Sequence, residues 1–154
     1  MEAELFLADA ASVSEGKVGA IGMGWTTTQS PAGPFALVAF LRLDADRIGE
    51  RLTIAFDLYD LETNQPCVNE NGQAIRAEGW VQIDAGASME GLQYETPVAL
   101  TMPAGLTLKT GVYEWRLTLD GEHLATRPFG VLGESAATSV TTSTPAADAG
   151  GRQG

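Results

Sequence analysis

Apolar and polar side chains alternate along this chain with a period of two, the period of strands. The cleanest case is Leu52 to Tyr59. Leu52, Ile54, Phe56 and Leu58 alternate there with Thr53, Ala55, Asp57 and Tyr59, which is the pattern of an antiparallel strand with one wet face. Phe35 to Leu43 differs. Phe35, Leu37, Ala39, Leu41 and Leu43 share one face, and Ala36, Val38, Phe40 and Arg42 the other. Both faces are largely apolar, so the strand is expected to be central or covered on both sides. Periodicity alone also allows a helix, but the length and the bounding Pro34 and Asp44 favour strand. The second face is covered either by a loop of the same chain or by a partner. Val38 and Phe40 are therefore candidate interface residues.

Other runs follow the same pattern. Ala3 to Ala8 is a first strand, Ser14-Glu15-Gly16-Lys17 a turn, and Val18 to Thr27 a second strand interrupted by Gly19, Gly22 and Gly24. The run VGAIGMGW is glycine-rich like a nucleotide loop, but it lacks the lysine of a P-loop. The following Trp25-Thr26-Thr27-Thr28 favours strand over helix. Gln29 to Pro34 reads as a loop, Asp44 to Arg51 as a helical turn or loop, Asp60 to Gly72 as a long polar loop, and Asp84 to Gly91 as a connection. Ile75 to Ile83 is a strand around Trp80, and Pro97 to Met102 a short edge strand. Asp120-Gly121 joins Gly111–Leu119 to Glu122–Leu132, which predicts a hairpin with a type I′ turn. In that register Leu119 faces Glu122, Leu117 faces Leu124 and Trp115 faces Thr126, with pairing expected to falter at Pro128 and Phe129 to re-enter the core after a bulge. Trp80 and Trp115 are expected in the core. Trp25, beside a loop, is the tryptophan expected to be exposed, and it joins Val38 and Phe40 as a candidate interface residue.

About seven to nine short strands with turn signals between them and no long amphipathic helix predict an all-β fold. The expected architecture is an antiparallel β-sandwich, immunoglobulin-like or C2-like, over residues 1–132. Residues 133–154 are Ser, Thr, Ala and Gly with almost no large apolar side chain. They bury too little to offset ordering entropy and read as a flexible, disordered C-terminal tail.

Charge narrows the function. The chain carries 9 Lys and Arg against 20 Asp and Glu, a net charge of −11. Nucleic-acid binding through phosphates and docking on an anionic membrane both need a cationic surface, so neither is expected. The surplus serves solubility or docking on a basic partner. There is no apolar run long enough for a membrane helix, and Glu2 and Glu4 stand where a signal peptide carries Lys or Arg. Secretion by that route is not expected. Cys67 is alone, so it forms no internal disulfide or zinc site and fits a reducing compartment. The single His123 sits in the hairpin, away from any nucleophile–base set. The loose pairs Asp44 with Asp46 and Asp57 with Asp60, and Asn69-Glu70-Asn71, lack the dense spacing of a calcium loop. No catalytic residue, metal or cofactor is assigned.

The opening LFLADAASVSEGKVGAIGMGW, the segment PFALVAFLRLDADRIGERLTIAFDLYD and the closing GVYEWRLTLDGEHLATRPFGVL resemble a family of small uncharacterised bacterial and bacteriophage β-sandwich proteins. The resemblance covers roughly residues 3–132 and carries no catalytic signature. It implies a β-sandwich domain of unknown function, and the likeness to phage-borne members implies a virion or phage-accessory role. The function expected is a non-catalytic structural or interaction module, such as a capsid decoration or minor structural subunit, located in the virion if phage-encoded and otherwise cytoplasmic. It would have a protein partner or self-assemble. The alternative is a cytoplasmic small-ligand or regulatory domain with a pocket at Trp25. A hydrolase with a carboxylate site is a third reading.

Overall fold

The computed structural model describes residues 1–84 and 93–133. The predicted tail lies outside the described residues apart from Gly133, as does most of the Asp84–Gly91 connection. The described chain is all-β with one turn of 3-10 helix at Ala45–Arg47. Its strands are β1 (Glu2–Ala8), β2 (Ala10–Ser14), β3 (Lys17–Ile21), β4 (Thr27–Gln29), β5 (Phe35–Leu43), β6 (Leu52–Asp60), β7 (Gln65–Pro66), β8 (Arg76–Val81), β9 (Tyr94–Met102), β10 (Gly111–Leu119) and β11 (Glu122–Leu132). None of the described segments is a helix long and apolar enough to cross a membrane.

These strands form three sheets. In the smallest, β2 and β3 make a lone hairpin. In the second, β5 lies between β1 and β9, both antiparallel to it. The third runs β4-β11-β10-β6, and β8 and β7 share the far side of β6. Its β4–β11 pair is parallel and its other pairs are antiparallel. The second and third sheets share one core, in which Leu5, Leu37 and Leu41 meet Phe56, Trp115 and Phe129. Burial of such large side chains is the main stabilising term, roughly 1.5–3 kcal/mol each.

The predicted central strand is β5 itself, Phe35–Leu43, buried on both faces for most of its length. The type I′ turn is also as read, with both Asp120 (φ 48°) and Gly121 (φ 81°) left-handed. The hairpin register is not. Leu119 does face Glu122, but the ladder then shifts, so that Leu117 faces Ala125 and Trp115 faces Arg127. Leu124 is the extra residue of a bulge. Without it, Thr126 and Pro128 would point into the core and Phe129 and Val131 out of it, because a one-residue slip reverses every side chain. The bulge restores Phe129 and Val131 to the interior, where they are 4% and 3% exposed.

Pairing does not falter at Pro128, which stays opposite Glu114. Gly130 donates its N–H away from β10, to Thr26 O at 2.8 Å. By alternation the Pro128 nitrogen faces the same outer side, so no ladder bond is lost.

The strand predicted to run from Val18 to Thr27 is broken in two. β3 ends at Ile21, and the left-handed Gly22 (φ 61°) and Gly24 (φ 97°) turn the chain away. The crossing segment is tied at both sides. Gly24 N–H donates to Leu7 O at 2.7 Å, and Thr26 O accepts from Gly130. It thereby bridges β1 of one sheet and β11 of the other.

Candidate functional site

On the outer face of the three-stranded sheet, side chains form rows across β1, β5 and β9. Register places Ala8, Ala36 and Thr101 in one row, then Phe6, Val38 and Ala99, then Glu4, Phe40 and Pro97, then Glu2, Arg42 and Glu95. The β2–β3 hairpin lies over the first two rows, and its Ala11 and Val18 pack on Ala8, Ala36 and Val38. The last two rows extend beyond it.

Val38 is 0% exposed beneath this hairpin. As a candidate interface residue it is therefore corrected: the chain supplies its cover, and Val38 presents nothing to a partner. Phe40 is half-buried, edge-on to Phe6 with ring centroids 6.2 Å apart. It lines a cleft of about 410 Å³ together with Glu4, Arg42, Glu122, His123 and Leu124.

That cleft is the open end of a seam between β1 and β11. The Gly24–Thr26 crossing fills one end of the seam. Arg127 ties its middle, donating to Leu5 O at 2.6 Å while its guanidinium lies 4.9 Å from the Phe6 ring centroid. Leu5 O and Leu7 O are both bonded on the side of β1 away from β5. Alternation sends the Ala3 N–H and C=O to that same side. There they line the cleft, and no described residue bonds them. Arg42 sits 3.4 Å from Glu2 and 3.6 Å from Glu95, whereas Glu4 and Glu122 have no ion-pair partner among the described residues. The rim thus carries surplus negative charge.

The tryptophans exchange places relative to expectation. Trp115 is fully buried as predicted. Trp25, the third candidate interface residue, is corrected in its exposure: it is half-buried and packs into the core rim, edge-on to Phe35 and Phe129 at 5.8 and 6.1 Å. Its indole nitrogen is buried without a hydrogen-bond partner among the described residues. Trp80 is 57% exposed, with the Arg51 guanidinium 4.1 Å from its ring centroid. In β8 it shares phase with the charged Arg76 and Glu78, opposite to the partly buried Ala77 and Val81. That phase was legible in the sequence and marks the outer face.

The wet face of the large sheet is occupied by internal ion pairs. Arg76 bonds Asp57 at 2.8 Å and Glu78 at 2.8 Å, and both hold its guanidinium in the charged form, Glu78 first. Arg116 bonds Glu114 at 2.6 Å and lies 3.7 Å from the Tyr59 ring centroid. The Asp60 carboxylate accepts from Glu62 N–H at 2.8 Å and closes its own turn. Among the described residues no three His, Cys, Asp or Glu side chains converge as a metal ligand set. Burial, then the Asp60 charge, pushes the Cys67 thiol up to about 11, which keeps it protonated and weakly nucleophilic near neutrality. His123 shares a 2.8 Å hydrogen bond with the Thr126 hydroxyl.

The fold and the cleft define a small all-β protein whose three-stranded sheet is roofed over half its outer face by its own hairpin. The chain belongs to a family of unknown function (DUF6941), whose model matches residues 4–132. No curated protein matches it.

Proposed function

We propose that the chain is a non-catalytic interaction module that docks on a protein partner. Where it is phage-encoded, we read it as an accessory virion protein, either a capsid decoration or a minor structural subunit. Its two facing sheets are read as an antiparallel sandwich of the immunoglobulin-like or C2-like kind. The observation that carries the proposal is the outer face of β5, whose apolar run continues past its own cover to Phe40 at an open cleft. A cytoplasmic small-ligand domain has less behind it. The crevice beside Trp25 measures about 10 Å³, the room of one water molecule. Mass spectrometry of purified particles from a phage encoding the chain tests the virion reading. Recovery at a fixed ratio to the coat protein is expected, and absence from the particles overturns it. Light scattering of the full chain with a coat subunit tests docking, and a mass equal to the sum of the partners is expected.

A further inference from the structure

The unfilled end of the β1–β11 seam is an unpaired sheet edge, and such edges recruit strands. Where natural proteins blunt an edge with proline or inward charge, β1 has Ala3 and Leu5 facing the core and no proline. Resting on the interaction-module reading, we propose that this edge is the docking site. Its occupant is an extended partner segment carrying Lys or Arg at alternate positions, which adds as a strand along β1 from Ala3.

Three features select that occupant. The free Ala3 N–H and C=O offer main-chain bonds of the kind used in strand addition. Glu4 and Glu122 flank the cleft without ion-pair partners among the described residues, so alternate cations on an added strand meet carboxylates on either side. Phe40, beside Glu4 in the next strand, lines the same cleft as an aromatic surface on which a cation or the stem of a Lys or Arg packs. The same charge opposes a second copy of this chain. Two molecules of net charge −11 would bring Glu4 and Glu122 against like charge at the contact.

The test uses the full chain, isotope-labelled, and three short synthetic peptides: alternating Lys-Val, alternating Glu-Val, and Lys-Val N-methylated at alternate amides. NMR titration to millimolar peptide is expected to shift the Ala3 and Leu5 amides and those of Glu122 to Leu124 with Lys-Val alone. N-methylation removes the donors needed for pairing and is expected to weaken binding about tenfold or more. The double variant Glu4→Lys/Glu122→Lys, folded by its spectrum, is expected to lose Lys-Val binding by a similar factor and to gain Glu-Val binding. Three results overturn the inference: no binding of Lys-Val, equal binding of the N-methylated peptide, or shifts elsewhere on the surface. If the chain still forms a complex with a coat subunit, the interaction reading stands and only the site is wrong. If neither occurs, both fail. Self-association through the cleft would appear as concentration-dependent shifts of the same amides without peptide, and it too would overturn the inference.

Discussion

The outer face of β5 carries Ala36 and Val38 at one end and Phe40 and Arg42 at the other, and only the first end lies beneath the β2–β3 hairpin. The difference follows from side-chain size and charge. Ala8, Ala36 and Ala11 are small, so the hairpin approaches the sheet closely enough to exclude water from Val38. Phe6 and Phe40 stand edge to face at the boundary. Beyond them Arg42 and its two carboxylates stay in water. One strand face is thus core at one end and surface at the other, and substitutions at the two ends should behave oppositely.

The largest effect is expected at the covered end. Val38→Asp places a carboxylate in the water-free space under the hairpin, a change of about 3–5 kcal/mol or more. Urea unfolding of the full chain measures it, and a loss below about 1 kcal/mol would mean that the hairpin does not seal this face. The next effect concerns the hinge that lays the hairpin down. Gly22 is left-handed at φ 61°, and a side chain there runs into the Asp9 carboxyl. Gly22→Val is expected to cost about 2 kcal/mol and to raise hydrogen exchange in β2 and β3 before the rest of the molecule. Uniform exchange would show instead that the hairpin opens only with global unfolding.

Much of this comparison was legible in the sequence. The two-sided apolar pattern of Phe35–Leu43 located the central strand and singled out Val38 and Phe40. It did not say which would be covered, because cover comes from residues far along the chain whose approach depends on Gly22 and Gly24. The Asp120-Gly121 turn was readable from local chemistry, whereas the Leu124 bulge was not, since a two-residue turn fixes register only up to the first irregularity. The phase of Phe129 and Val131 against Leu124 was the available sign. Trp25 was misplaced for a similar reason. Its loop-like neighbours, two glycines and three threonines, describe the backbone of a crossing segment and say nothing of a ring inserted between Phe35 and Phe129. The cleft escaped sequence reading altogether, because Ala3, Phe40 and Glu122 meet only once two sheets face each other.

Phe40→Ser is the smallest change in stability and the most direct test of the account. The ring is half-buried and rests on Phe6 at the open end, so truncation is expected to cost no more than about 1–2 kcal/mol. The decisive measurement is Lys-Val peptide binding to the Phe40→Ser chain, read beside its urea midpoint. The expected result is a midpoint lowered far less than by Val38→Asp, together with a loss of peptide binding. Binding that survives the substitution would contradict it, as would a collapse in stability comparable to that of Val38→Asp.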